Sequence, residues 1–200
     1  EVSILNKFDI IIVGAGPGGS IAAKVAAESG YSTCLLEKEE ISEEGRYKAC
    51  GGALAWELVE EIDYPLEKIE RIIESLELHH VDGTQFSKKG KGAVIWRSVF
   101  DKHLTTMAIE SGAYFKEKEP LLDIKRDSNQ YIVKTNKNTF SSTYVIAADG
   151  VTSPTLNKLN WPYFRSEDLI LTITKEMKSS IPHINEKLGS NAVHLFFGIK

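Results

Sequence analysis

The 200-residue sequence has only two cysteines, Cys34 and Cys50. They supply neither a disulfide framework nor a metal-ligand spacing, which suits a reducing compartment. No stretch approaches the roughly eighteen consecutive apolar residues of a membrane span. The first apolar run, Ile10 to Val13, follows Asp9 and ends in glycines, so it reads as neither a span nor a signal peptide. A cytoplasmic location is expected, with peripheral membrane contact left open. Positive charge is scarce as well: 24 Lys and Arg stand against 28 Asp and Glu, interspersed, for a net charge of -4. Without a basic stripe, nucleic acid is excluded as a partner. There is no internal repeat, low-complexity linker, catalytic triad or H-E-x-x-H frame, and no metal site is expected. His79 and His80 lack a third nearby ligand and read as sheet surface residues. What is present is 42% hydrophobic, enough for one good core or a large domain with part of another.

Glycine, by contrast, is concentrated in "IIIVGAGPGGS", residues 10–20. The preceding "FDIIIV" is a continuous apolar run, as expected of a strand buried on both faces of a parallel sheet, and a central first strand is implied. "SIAAKVAAESG" then predicts a helix with Ile21, Ala22, Val25 and Ala26 on one face, Lys24 and Glu28 outside and Gly30 as the stop. "STCLLEKEE" reads as a second apolar strand ending at Glu37. Gly14, Gly16 and Gly19 fit G-x-G-x-x-G, whose glycines allow a tight turn, close approach to a pyrophosphate and close helix-strand packing. Pro17 suits the first helical turn, where its missing N–H costs little. Glu37 lies near the ~20-residue offset at which an acid reaches an adenosine ribose. The plainer alternative is a glycine-rich β-α turn of some other α/β protein, with Glu37 as a solvated charge.

The β-α-β alternation does not continue as in a nicotinamide dehydrogenase. A polar loop, "KEEISEEGRYKACGGA", leads to a helix-like "LAWELVEEI", Pro65 and an amphipathic "LEKIERIIESLE". "LELHHV" and "AVIWR" flank a Gly/Lys-rich turn, predicting an antiparallel patch inserted into the parallel domain. "SVFDKHLTTMAIESG" restores a helix with Phe100, Leu104, Met107 and Ala108 inward; "AYFKEK" is a further strand, "LLDIKRD" and "QYIVKT" form a hairpin, and "TYVIAADG" ends the domain. "DLILTITKEM" and "NAVHLFFGIK" read as the opening strands of a second sheet.

In "DIIIVGAGPGGSIAAKVAAESGYSTCLLEK", "KACGGA", "RSVFDKHL" and "VIAADG", in this order, the chain resembles the geranylgeranyl reductase family of FAD-dependent enzymes, within the wider group of the p-hydroxybenzoate hydroxylase fold. The resemblance covers about residues 8–155. It implies an α/β architecture: a Rossmann-like FAD-binding domain with inserted antiparallel strands over residues 1–160, then the start of an α+β substrate-binding domain over 161–200. That second domain is expected to be truncated, since the family's later G-Y-x-W-x-F-P and G-D-A-A-G segments are absent. The resemblance puts the FAD pyrophosphate on Gly14, Ala15, Gly16, Pro17 and Gly19 and the adenosine ribose on Glu37. It puts Cys50, Gly51 and Ala53 in the loop near the flavin, assigns Arg97 a cofactor contact and Leu121 a backbone contact on the adenine side, and sets Asp149 and Gly150 beside the cofactor.

Several of these residues have plainer readings. Cys50 by itself is a turn filler; beside a flavin, its polarizable thiol would tune the ring, orient substrate or donate a proton. Arg97 by itself is an exposed arginine at an element boundary, although a guanidinium fork suits phosphates and ribitol hydroxyls. Asp149 and Gly150 alone make a turn, and the following "VTSP" departs from the S-x-x-R ending of the hydroxylases. Cys34, on an apolar strand, is assigned to the core. The expected activity is reduction of isoprenoid double bonds of archaeal-type lipids, with hydride from reduced flavin N5. The electrons would come from NAD(P)H or a small electron carrier. An aromatic-ring monooxygenase of the same fold is the alternative, and a non-enzymatic flavin-binding sensor a more distant one.

Overall fold

The computed structural model describes residues 6–44, 48–189 and 191–198. Residues 45–47 of the polar loop and 199–200 of the last apolar run, both within segments read above, lie outside it. In chain order the elements are β1 (Asn6–Val13), α1 (Pro17–Glu28), β2 (Thr33–Leu36), β3 (Ala53–Ala55), α2 (Trp56–Glu61), β4 (Arg71–His80), β5 (Gln85–Val94), α3 (Arg97–Glu110), β6 (Tyr114–Lys116), β7 (Leu121–Asp127), β8 (Gln130–Thr135), β9 (Thr139–Ala147), α4 (Pro154–Lys158), α5 (Ile181–Leu188) and β10 (Ala192–Phe197). They form two compact units, Glu1–Tyr47 with Ser98–Leu171, and Lys48–Arg97 with Thr172–Lys200.

The first unit is built on a six-stranded sheet of order β6-β2-β1-β9-β8-β7. β1 is central, as expected, running parallel to β2 and to β9. β7, β8 and β9 form an antiparallel meander. Both faces of β1 are covered, which is why three consecutive apolar residues are buried. Ile11 and Val13 pack with Cys34, Leu36, Ile124, Val133 and Phe140, whereas Ile12 packs with Ala15, Ala23, Leu35, Ala108 and Ala113.

Helix α1 buries Gly19, Ser20, Ala23 and Ala26, while Val25 is 53% exposed. The inner face is therefore rotated from the expected Ile21, Ala22, Val25 and Ala26. Small residues let the helix lie close to the sheet, and that contact outweighs the extra apolar area of Val25. Helix α3 buries Phe100, Leu104 and Ala108 as predicted, but also the polar Asp101 and Thr105. Ser20 Oγ lies 3.1 Å from Thr105 Oγ1, which donates to Asp101 O at 2.8 Å. The single Thr105 proton goes to that carbonyl, so the Ser20 hydroxyl is the donor between the two helices.

The second unit holds a four-stranded sheet of order β10-β4-β5-β3. The expected antiparallel patch is there, β4 pairing with β5 and β5 with β3. The Gly/Lys-rich stretch read as its turn, however, lies within β5, the chain reverses at residues 81–84, and of "AVIWR" only Ala93 and Val94 are strand. Most of the amphipathic "LEKIERIIESLE" is strand, because a 3-10 turn at Leu66–Lys68 ends just before β4 begins at Arg71. "NAVHLFF" forms β10, parallel to β4. "DLILTITKEM" does not form the predicted strand: residues 169–180 carry no regular secondary structure, and Ile170, Leu171 and Ile173 are more than 90% exposed. The alternation is favourable, but a strand needs a neighbour to complete its ladder, and among the described residues none pairs with this segment.

Phe140, on β9 between β1 and β8, is fully buried. Phe140→Ala should cost about 3–5 kcal/mol of unfolding free energy, read as a lower denaturant midpoint.

Candidate functional site

The end of β1 is held on both sides by main chain: Gly14 N donates to Leu36 O and Ala148 N to Val13 O, each at 2.8 Å. The turn that follows tolerates no side chain at two positions. Gly14 has φ +103°, and a Cβ there would stand 2.4 Å from Ala148 O; a Cβ on Gly19 would stand 1.8 Å from Gly14 O. Gly16 and Gly18 differ, since a Cβ on either would meet no protein atom within 4 Å. Protein packing thus explains Gly14 and Gly19 but leaves open space at Gly16 and Gly18.

That space lies at the start of α1, which has Pro17 in its first turn, Gly16 as N-cap, no side-chain capping bond and no acid in the first turn. The N–H groups of Gly18 and Gly19 have no acceptor within the helix. An uncapped helix start with room in front of it suits an anion, through directed N–H groups and the positive end of the helix dipole.

Glu37 follows β2 directly and is 4% exposed. Its Oε2 accepts the Ala15 N–H at 2.8 Å and its Oε1 the Glu39 N–H at 3.0 Å. The structure therefore brings Glu37 and the glycine turn into direct contact, and Glu37 is not the solvated charge of the plainer reading. Leu121, at the start of β7, is half-buried against the core cluster of Ile11, Val13 and Leu36.

Asp149 and Gly150 follow β9. The Asp149 carboxylate accepts from the Ser153 hydroxyl, and from Thr155 N at 2.9 Å and Thr155 Oγ1 at 2.7 Å. Its side chain organises the turn into α4, and Gly150, at φ +91°, permits that turn. The neighbouring Ala148 instead supplies the backbone that crowds Gly14.

Cys50, Gly51, Ala53 and Arg97 belong to the second unit. Cys50 is exposed, and its Sγ accepts the Gly52 N–H at 3.4 Å. The loop is anchored by Gly52: its φ is +68°, a Cβ there would stand 2.1 Å from Ile95 O, and its own carbonyl accepts Ile95 N–H at 2.9 Å. A Cβ on Gly51 would meet nothing within 4 Å. Arg97 is half-buried at the first position of α3. Cys34 is wholly buried, and desolvation, with a lesser contribution from the charge of Glu119, pushes its thiol up to about 12. It stays protonated and packs as a core residue.

Sequence reasoning missed Ser20, Thr105, Ala148 and a buried acid, Glu119, which is 3% exposed. Polar residues inside elements carry no periodic signal; only "KEKEP", acids unusually close to a strand end, marked the last of them.

A central parallel strand, a crowded glycine turn, an open helix start and an acid at the next strand's end define a dinucleotide-binding α/β protein. Residues 9–150 match the sequence model of the family described as FAD dependent oxidoreductase, and the chain belongs to that family. It is 30% identical over 209 aligned positions to digeranylgeranylglycerophospholipid reductase 3 of Methanosphaera stadtmanae, covering 96% of this chain and 50% of that protein. It is also 30% identical to the digeranylgeranylglycerophospholipid reductase of Methanocaldococcus jannaschii, with the same coverage. The chain thus spans about half the length of these curated relatives. A geranylgeranyl bacteriochlorophyll reductase-like structure from Thermoplasma acidophilum superposes with a TM-score of 0.64 at 28% identity, covering 74% of this chain and 41% of that one. A flavin-dependent brominase, at 19% identity and a TM-score of 0.62, covering 72% of this chain and 38% of its own, shares the fold. The family cofactor is FAD, and the open glycine positions at the start of α1 fit its pyrophosphate. Among the described residues no group of three or more His, Cys, Asp or Glu gathers for a metal, and no helix is long and apolar enough to cross a membrane.

Two expectations follow from this geometry. Gly14→Ala should lower the melting temperature even without FAD, because it meets backbone; Gly16→Ala should leave apo stability within about 0.5 kcal/mol yet weaken FAD binding. Thermal unfolding and flavin titration separate the two. At pH 8 a thiol reagent should modify Cys50 alone in the folded protein, and Cys34 only after denaturation, counted by mass spectrometry.

Proposed function

We propose that the protein is an FAD-dependent reductase that hydrogenates isoprenoid double bonds of geranylgeranylated lipids of the archaeal type. The observation that carries this reading is the likeness, over 96% of the chain, to proteins named as digeranylgeranylglycerophospholipid reductases. The C-G-G loop supports it: Gly52 fixes the backbone, while Cys50 is exposed and Gly51 leaves open space for a planar ring.

In this reading Gly14 to Gly19 hold the FAD pyrophosphate at the start of α1, and Glu37 accepts the adenosine ribose hydroxyls. Both Glu37 oxygens receive backbone N–H bonds, which hold the carboxylate in place. Leu121 contacts the adenine side through its backbone, Arg97 contacts the cofactor through its guanidinium, and the main chain at Asp149 and Gly150 runs beside it. Ala53 continues the flavin loop. Residues 161–200 begin the substrate-binding domain. Reduced flavin, when bound, supplies a hydride from N5 to one alkene carbon. A proton must reach the other carbon, and Cys50 is the proposed group for orienting the alkene or delivering that proton. The reductant is NAD(P)H or a small electron carrier.

The full-length enzyme, incubated anaerobically with dithionite and a geranylgeranylated lipid, should add two hydrogens per reduced double bond, followed by mass spectrometry. Oxygen-dependent hydroxylation of an aromatic compound in place of hydrogenation would overturn the proposal in favour of a monooxygenase. Cys50→Ser should keep its flavin but slow alkene reduction by at least about tenfold; unchanged rates and products would return Cys50 to a turn residue.

A further inference from the structure

The loop after β2 is clasped by two other segments of the first unit, and one buried carboxylate sits where they meet. Glu37 N donates to Lys116 O at 2.8 Å, Glu119 N to Glu37 O at 2.9 Å and Lys118 N to Glu39 O at 3.4 Å. Ile41 N donates to Glu117 Oε2 at 2.8 Å, and Lys118 Nζ pairs with Glu40 at 2.6 Å. Lys118 has φ +53°, a left-handed conformation that a lysine keeps only where its surroundings over-determine it.

Glu119 joins this clasp to the turn between β8 and β9. Its Oε2 accepts the Thr135 hydroxyl at 2.8 Å, and Asn138 Nδ2 donates to Oε1 and Oε2 at 2.9 and 3.0 Å. Thr135 Oγ1 in turn accepts Lys137 N and Asn138 N at 3.2 and 2.9 Å, while Asn136 Nδ2 donates to Lys118 O at 3.3 Å. Removing the Glu119 carboxylate takes away three of these four side-chain hydrogen bonds between residues 118–119 and 135–138 and leaves only that from Asn136 to Lys118 O. The main-chain bond from Glu119 to Glu37 then hangs from a segment tied to the β8–β9 turn by one side-chain bond alone.

We infer that Glu119 is a positioning residue for the adenosine end of FAD: it acts through the main chain of Glu37 to fix where that carboxylate meets the ribose. The inference rests on the proposed ribose role of Glu37.

The test uses the full-length enzyme stripped of flavin and titrated with FAD and with FMN, which lacks the adenosine. Glu119→Ala should weaken FAD roughly tenfold and leave FMN unchanged. Glu119→Gln should stay within about twofold of the parent. Its Oε1 still accepts the Thr135 hydroxyl, and its Nε2 donates to a flipped Asn138 amide. Because Glu119 acts through Glu37, the double variant Glu37→Ala/Glu119→Ala should bind FAD no more weakly than Glu37→Ala alone. Asn138→Ala, a milder change that serves if Glu119→Ala does not fold, should weaken FAD about threefold with the same FMN indifference. Equal losses for FAD and FMN, a lower melting temperature with unchanged FAD affinity, or additive losses in the double variant would overturn the inference alone. Unchanged FAD affinity in Glu37→Ala would overturn the ribose reading and the inference with it.

Discussion

The approach of Gly19 to the carbonyl of Gly14 is the contact on which the rest of the first unit depends. No heavier residue fits there, because a Cβ would overlap the Gly14 oxygen. The contact lets α1 start immediately after β1 and lie flat on the sheet, with Ser20 reaching Thr105 on α3. It also leaves open space at Gly16 and Gly18, beside the uncapped first turn of α1. Ala148, at the end of β9, closes the opposite side of the turn, so three chain segments fix one short stretch of backbone.

Glu37 is held where β2 meets the glycine turn. Burial of a carboxylate is costly unless its oxygens are hydrogen-bonded, and the N–H groups of Ala15 and Glu39 meet that need. The bond to Ala15 N ties the end of β2 to the glycine turn. Under the proposed function, a ribose hydroxyl arriving here would meet a carboxylate already held in place, and little ordering would be needed.

The parallel core was legible because its signals are local: an apolar run, glycines at fixed offsets, a helix stop and an acid at the next strand's end. The inserted antiparallel patch was legible from the alternation of "LELHHV" and "AVIWR", but its turn was not, since the Gly/Lys-rich "KKGKG" lies within β5 and the chain reverses earlier, at residues 81–84. What the sequence concealed was set by tertiary contact. Which face of α1 turns inward depended on how closely small residues approach the sheet, not on the larger apolar area of Val25. Residues 169–180 have the alternation of a strand, yet pairing is a property of the neighbour as much as of the segment. In the candidate site, Gly14, Gly16, Gly19 and Glu37 could be read from spacing. Ala148 and Glu119 could not, since one acts through its main chain and the other through partners 16 and 19 residues away.

The sheet order has a bearing on how the chain is made. β1 finds β2 soon after it is synthesised, but its other edge pairs with β9, where Asn6 stands opposite Phe140. At elongation speeds of about 5–20 residues per second, that edge waits on the order of ten seconds on the ribosome. During that interval Ile10 to Val13 present an unpaired, apolar strand edge, the kind of surface that recruits holding chaperones or misassembles with a neighbouring nascent chain. The whole segment from Lys48 to Arg97 emerges inside that wait, and its own antiparallel hairpin, closed by local contacts, can form first.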